Sequence, residues 1–354
     1  MNPPEIKYFP YDIKLKNAFS TSGGVLSSRK GFFIKISGRE NENAWGEAAP
    51  LPEFGSESFN EAESKLKAMF GLASGISVSV DPETFNSKLQ ELNSFPALRH
   101  GLEQAWLNFK CLKEKTSLDR LLKVKLNSSI TINGLIGLHS PEEVLIKGRE
   151  LYNEGFRTLK LKAGRSDFSL DKKCLRLLRN QFSDRIKLRI DVNGKWNFPD
   201  AVSHLKELEE FSLEYVEQPV AGKEDFFNLQ KISKVPLAAD EIIRNINDVS
   251  EAIKKAPGIV LVLKPMMLGG LTKTLQIIKD AEASGVKTVI SSSFETSIGR
   301  SAAIFLASSL SSGLAHGLGT KGFLEGEPFN DPFELNNGVI EVDSSKLNSS
   351  WLHS

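Results

Sequence analysis

Cysteine is nearly missing. The 354 residues contain two, Cys111 and Cys174, both in stretches patterned as helix, so neither a disulfide framework nor a thiolate metal site is available and a reducing compartment is expected. Histidine is scarce, and His100, His139, His204, His316 and His353 have no metal-ligand spacing. Of these only His316 falls on a segment that could line a pocket, and a structural role is expected for it. No run approaches the roughly 18 apolar residues of a membrane span, and Met-Asn-Pro-Pro-Glu-Ile-Lys at the amino terminus has no basic stretch before an apolar core, so a cytoplasmic protein is expected. Charge of one sign is lacking too. With 45 Lys and Arg against 44 Asp and Glu, the net charge is +1, which removes the basic footprint of a nucleic-acid or membrane-surface binder.

What is present is an ordinary globular composition, 40% hydrophobic and 25% charged. The chain is long enough for a barrel of about 200 to 250 residues plus a smaller domain. Five strand-like segments each end in a residue suited to metal or proton chemistry. They end at Lys162 (Thr-Leu-Lys-Leu-Lys), Asp191 (Leu-Arg-Ile-Asp), Glu217 (Glu-Tyr-Val-Glu), Asp240 (Leu-Ala-Ala-Asp) and Lys264 (Val-Leu-Val-Leu-Lys). The intervals of 29, 26, 23 and 24 residues each accommodate a strand, a helix and two short loops. Amphipathic helices fill them, and Ile130 to Leu135, Thr288 to Ser293 and Leu314 to Leu318 bring the strand count to eight, on which a barrel closes.

The fold class expected is therefore α/β, a (β/α) TIM-type barrel over residues 126–322. Residues 1–125 read as an α+β capping domain, with strands near Ile13 to Leu15 and Phe32 to Ile36 and helices at Phe59 to Phe70, Pro82 to Leu92 and Pro96 to Lys113. Ser20-Thr21-Ser22-Gly23-Gly24 reads as a long mobile loop in a hairpin, and the segment Ser20 to Leu26 is expected to close over the barrel mouth. The tail, 323–354, is expected to return to the capping domain through a strand at Asn337 to Val342.

In such barrels the carboxyl ends of the strands carry the active site. Asp191, Glu217 and Asp240 then meet around one point, an arrangement that is costly without a cation. Oxygen-only ligation selects Mg²⁺ first and Mn²⁺ second. Lys162 and Lys264 lie on the strands before and after the acids, placing ammonium groups on two sides of a bound substrate for acid/base chemistry. Residues two apart on a strand share a face, so Lys160, Arg189 and Asn193 point inward as well. Asn193 is placed to orient a ligand or water, and Arg189 lies deeper, either neutralising a carboxylate or forming an interior ion pair. Glu241 faces away from the lumen unless the strand end turns, and is expected to pair with a lysine. Ser291, Ser292 and Ser293 precede a helix start whose free N–H groups suit a substrate carboxylate, although helix capping accounts for some of these residues.

Lys160-Leu161-Lys162, Asp191-Val192-Asn193, Glu217-Gln218-Pro219, Asp240-Glu241 and Lys264-Pro265, in this order, resemble the muconate-lactonizing subgroup of the enolase superfamily. Trp45-Gly46-Glu47-Ala48-Ala49-Pro50-Leu51-Pro52 resembles that family's capping domain, so the resemblance covers almost the whole chain. It implies Mg²⁺ on Asp191, Glu217 and Asp240, Lys162 and Lys264 as the acid/base pair, and removal of a proton α to a carboxylate through an enediolate. Ser291 to Gly299 resembles the seventh-strand segment of the o-succinylbenzoate synthases, which dehydrate 2-succinyl-6-hydroxy-2,4-cyclohexadiene-1-carboxylate in menaquinone biosynthesis. Dipeptide epimerases of the subgroup tend to carry Asp-x-Asp on the eighth strand, where this chain reads His316-Gly317-Leu318-Gly319-Thr320. An N-acylamino acid racemase or dipeptide epimerase is the alternative, a muconate cycloisomerase a third, and a non-catalytic binder on a decayed barrel a reading of another class. The substrate expected is a small-molecule carboxylate.

Overall fold

The computed structural model describes residues 4–21, 24–38, 42–70 and 81–348. The chain opens with an antiparallel sheet of β1 (Glu5–Thr21), β2 (Gly24–Ser37) and β3 (Asn43–Ala48), in that order. Helices α1 (Phe59–Phe70), α2 (Pro82–Lys88) and α3 (Pro96–Glu114) follow. Phe32, Ile34 and Ile36 alternate along β2 and are buried, the period-2 pattern of a strand with one face on a core. Gly46 lets α3 lie directly on β3, because a Cβ there would collide with the Gly101 carbonyl. Phe85 stacks on Trp106 of α3 with ring centroids 4.1 Å apart.

The hairpin differs from expectation. Backbone pairing continues through Thr21↔Gly24, so Ser20, Thr21 and Gly24 belong to strands rather than to a long loop. A register shift between Lys14 and Phe19 is absorbed within β1. Ser22 and Gly23, at the centre of the expected loop, lie outside the described residues.

After α4 (Leu118–Leu122) and β4 (Ser129–Thr131), strand and helix alternate. The elements are β5 (Gly134–Ile136), α5 (Pro141–Asn153), β6 (Thr158–Lys162), α6 (Phe168–Phe182), β7 (Lys187–Asp191) and α7 (Phe198–Leu208). Then come β8 (Tyr215–Glu217), α8 (Lys223–Ile232), β9 (Leu237–Ala239), α9 (Ile246–Lys255), β10 (Val260–Leu263), α10 (Pro265–Leu268), α11 (Leu271–Ala283), β11 (Lys287–Ile290) and α12 (Ser297–Ser308). Helix starts are sequence-coded: Ser140 and Glu143 form a capping box at α5, with Pro141 at the first turn, and Asn245 and Asp248 do the same at α9. Cys174, Leu175, Leu178 and Phe182 make the buried stripe of α6.

Strands β5 to β11 form one parallel seven-stranded sheet in chain order. Residues 316 and 317 link β11 to the segment that precedes β5. His316 donates its N–H to Thr131 (2.8 Å) and Gly317 donates to Ile290 (2.9 Å). The eighth strand expected at Leu314 to Leu318 is thus reduced to isolated bridges, Ile132↔His316 and Ser291↔Gly317. Gly317 permits this close approach, since a Cβ there would lie 2.9 Å from Ser291 Oγ.

The tail divides its contacts. Glu325 N–H bonds to Lys14 O (2.8 Å) and Lys16 N–H to Phe323 O (2.9 Å), and Phe329 packs edge-on against Phe33. Strands β12 (Leu335–Asn336) and β13 (Val339–Glu341) instead extend β4, in the order β12-β13-β4. Asn337 and Gly338, both with positive φ, make the tight turn that folds β13 back, and Ile340 is buried opposite Ile130.

Candidate active site

Parallel register sets Lys162 beside Asp191 and Asp191 beside Glu217, a row of strand ends produced by the near-constant repeat. Lys160 Nζ lies 2.6 Å from Glu217 Oε1 and 3.0 Å from Asp191 Oδ2. Lys162 Nζ donates to Asp191 Oδ2 (2.9 Å) and Asn193 Oδ1 (2.5 Å). Lys264 pairs with Asp240. Lys160 thus bridges Asp191 and Glu217 while Lys264 takes Asp240, and among the described residues no three acids close around one point as a metal cage. Yet Glu217 Oε2 is buried without a partner, and it borders two other carboxylates, so an oxygen ligand is available for a hard cation.

The electrostatics follow from burial. Burial pushes Glu217 up to about 8; Lys160 pulls down, while Asp191 and Asp240 push further up. Burial also opposes ionisation of Asp191, but Lys160 and Lys162 hold it well below the usual carboxylate range. Burial opposes the charge on Lys160 and Lys264 as well. Asp191 and Glu217 nevertheless raise Lys160 well above its ordinary value, and Asp240 and Glu241 raise Lys264.

Asn193 Nδ2 donates to Glu241 Oε1 (2.9 Å), so Glu241 does turn toward the site, and its partner is an amide rather than the expected lysine. Burial and then Asp240 raise its pKa. Three residues in the segments that follow strand ends, Asn193, Gln218 and Phe294, have φ of 51°, 40° and 60°, a left-handed conformation that is costly outside glycine and clusters at functional sites. Gln218, to which sequence reasoning gave no role, locks the site: its Oε1 accepts Asp240 N–H (3.0 Å) and its Nε2 donates to Val220 O (2.8 Å).

Arg189 resolves to an interior ion pair. It contacts Glu214 (2.6 Å) and Ala315 O (2.7 Å) and lies over the Tyr215 ring at 4.5 Å, beneath the cavity rather than in its wall. His316 is buried, accepts Ile290 N–H at Nδ1 (3.1 Å), and is pushed down to about 3 by burial and Arg189, a structural role.

The expected anion site at the start of α12 is already filled. Thr296 and Gly299 N–H groups are bonded to Glu47 and Ser297 N–H to Glu327, so no helix-start donors among these remain for a substrate carboxylate. Ser293 is buried, with its N–H on Glu295 (2.5 Å). Ser291 and Ser292 do face the cavity, which has a volume of about 340 Å³ and whose wall includes Lys160, Lys162, Asp191, Asn193, Asp240, Glu241 and Lys264. Phe54, Leu135, Phe294 and Phe323 supply its apolar side, with Asn133, Gly317, Gly319 and Thr320. Phe54 comes from the segment after β3 and covers Lys264, its ring centroid 4.6 Å from Nζ. Sequence reasoning missed Phe54 because nothing in its local pattern marks a contact with a strand end some 210 residues later.

Residues 144–346 match the family model described as enolase C-terminal domain-like, and residues 4–108 match one described as MenC, N-terminal domain. Protein PHYLLO, chloroplastic, of Arabidopsis thaliana is 28% identical over 355 residues, 89% of this chain, although the chain spans only 21% of that protein's length. The o-succinylbenzoate synthase of Thermobifida fusca is 34% identical over 221 residues, covering 61% of this chain and 68% of that one. Among solved structures, the dipeptide epimerase from Enterococcus faecalis complexed with Mg and the dipeptide L-Leu-L-Tyr superposes with a TM-score of 0.87 at 25% identity, over 97% of this chain and 98% of that chain.

Proposed function

The chain belongs to the enolase superfamily, and from that membership we propose that it dehydrates 2-succinyl-6-hydroxy-2,4-cyclohexadiene-1-carboxylate to o-succinylbenzoate, a step of menaquinone biosynthesis. In this reading residues 126–322 are the (β/α) barrel, and residues 1–125 with the tail form a cap over its mouth. The observation that carries the choice of substrate is the wall made by residues 316–320. It brings Gly317, Gly319 and Thr320 to the cavity and no acid that could hold an ammonium group. Apolar rings on the same side suit a cyclic substrate without a cationic end.

Asp191, Glu217 and Asp240 would hold Mg²⁺, or Mn²⁺ in its place, in keeping with the all-oxygen donor set and the unpartnered Glu217 Oε2. When bound, the ion would supply electrostatic stabilisation of the charge that develops on the substrate carboxylate. Lys162 takes the α-proton at Nζ. The C–H electron pair passes into the substrate carboxylate as an enediolate and then returns to form the new double bond as the β C–O bond breaks, and Lys162 gives its proton to the leaving hydroxyl, releasing water. Lys264 faces the other side of the substrate and stabilises the developing charge with its ammonium. Asn193 accepts from Lys162 Nζ at 2.5 Å and so aims it. Lys160 neutralises two carboxylates, and Ser291 and Ser292 contact the substrate.

A second reading, epimerization of a dipeptide or an N-acylamino acid, is favoured by the presence of both Lys162 and Lys264 in the wall of one cavity, since such a pair can remove a proton on one face and return it on the other. Turnover of the cyclohexadiene carboxylate by purified protein with Mg²⁺, followed by absorbance, separates the two. Its absence, together with α-proton exchange in heavy water on dipeptides or N-acylamino acids, would overturn the dehydratase reading.

A further inference from the structure

One wall of the cavity is held from outside the barrel. Glu47, wholly buried in β3 of the cap, places both carboxylate oxygens on the turn between β11 and α12. Oε1 accepts the Tyr11 hydroxyl (2.5 Å) and Thr296 N–H (3.0 Å). Oε2 accepts the Thr296 hydroxyl (2.6 Å) and Gly299 N–H (2.8 Å). A Cβ on Gly299 would lie 2.9 Å from Glu47 Oε2, so the glycine is what admits the carboxylate. The same turn carries Ser292 and Phe294 in the cavity wall. Phe294 is held in the left-handed region, its N–H on Ser292 Oγ (2.9 Å). Cavity wall and cap anchor are thus two ends of one short strained segment, and a strained conformation persists only where surrounding contacts over-determine it.

We propose that Glu47 is a positioning residue, whose carboxylate fixes the β11–α12 turn so that Ser292 and Phe294 stand where substrate binds, making substrate affinity depend on docking of the cap. The proposal rests on the dehydratase reading only for the choice of substrate. Glutamine at position 47 retains the shape but turns an amide N–H₂ against at least one donor, because both oxygens accept.

The test compares Glu47→Gln with Glu103→Gln. Glu103 is an equally buried cap carboxylate, which accepts Leu271 N–H and the Thr272 hydroxyl at the start of α11 and lies outside the cavity wall. Backbone hydrogen exchange over residues 291–299 needs no assumption about the reaction, and in Glu47→Gln it should rise by about 10-fold or more, the loss of one buried hydrogen bond. KM for the cyclohexadiene carboxylate should rise by about as much while Mg²⁺ affinity, read by calorimetry, stays within about 2-fold. Glu103→Gln should lose a similar amount of thermal stability with exchange over 291–299 and KM unchanged, and Tyr11→Phe, which leaves the carboxylate, should shift exchange in the same direction by less. Unchanged exchange in Glu47→Gln, or equal changes in KM and in exchange over 291–299 in both glutamine variants, would overturn the proposal. An inactive wild type would overturn the dehydratase reading alone, the exchange result still deciding the role of Glu47.

Discussion

Replacement of Lys160 by methionine tests whether the lysine and a metal ion compete for the same carboxylates. Lys160 is half-buried, 3.0 Å from the buried Asp191 and 2.6 Å from the buried Glu217, so its loss leaves two carboxylates facing each other without their cation. Breaking a buried pair in this way costs about 3–5 kcal/mol. Glu217 can take up a proton, since burial already places it at about 8, which holds the cost near the lower end. An unfolding entropy of about 2.1 cal/mol/K per residue gives roughly 0.7 kcal/mol/K for a chain of this length, so the variant should melt about 4 °C below the wild type in chelator. Mg²⁺ supplies the missing positive charge. At about 100 times its dissociation constant it stabilises a protein by roughly 2.7 kcal/mol, and it should bind the variant more tightly than the wild type, erasing most of the gap. Thermal melts of both proteins, with chelator and across a Mg²⁺ series, give the comparison. An equal Tm deficit with and without metal, or no deficit in chelator, would refute the argument.

Lys162→Ala should lower turnover by at least about 10²- to 10⁴-fold with Mg²⁺ affinity little changed, because the residue is read as a proton carrier and not as a ligand; steady-state kinetics beside metal calorimetry checks both halves. Chelation should abolish turnover and Mg²⁺ restore it. Glu57 accepts Ala97 N–H (3.1 Å) and Leu98 N–H (2.7 Å) at the start of α3, and burial pushes it up to about 7 from an ordinary 4.5. The folded protein therefore keeps a proton that the unfolded chain has released, and the associated stability, on the order of 3 kcal/mol, is full below about pH 4.5 and lost as pH rises through about 7. Glu57→Gln should flatten the decline of Tm between about pH 5 and about pH 8, and an unaltered slope would count against this account. Cys111 is buried in α3 with its thiol pushed up to about 12, so it should react with thiol reagents only as the protein unfolds.

The repeat of strand ends was legible because the chemistry of a barrel is written in short local segments. Lys162, Asp191, Glu217, Asp240 and Lys264 each close an apolar run, and parallel register does the rest. Helices with clear periodicity and caps were legible for the same reason, as with Phe59–Phe70, whose observed bounds match those read from the pattern. Less visible were features created by distant pairing. Glu47 meets Thr296 across 249 residues, and no period or spacing marks that contact, so the free N–H groups expected at α12 turned out to be occupied from within. The eighth strand faded because Gly317 and Gly319 favour close approach over a regular ladder. β13 paired with β4 because Asn337-Gly338 turns it back, a local signal that was present in the sequence but read only as a strand.

The left-handed residues differ in what restrains them. Asn193, Gln218 and Phe294 follow the ends of β7, β8 and β11 by two, one and four residues, and each left-handed turn costs about 1–3 kcal/mol. Two of the three are restrained within the barrel: Asn193 N–H bonds to Asp191 Oδ1 (3.1 Å), and Gln218 bridges Asp240 and Val220. The turn holding Phe294 is tied to its own strand end by Ser292 N–H on Gly317 O (3.0 Å) and Phe294 N–H on Ser292 Oγ (2.9 Å), and its far end is bonded to Glu47 and Glu327, from β3 and the tail. Under the proposed assignment of roles, the metal and lysine positions are therefore fixed by the parallel strands, whereas the part of the wall that carries Phe294 is also held by residues outside them. A change in β3 could then alter the Phe294 wall and leave the lysines and carboxylates at the strand ends standing.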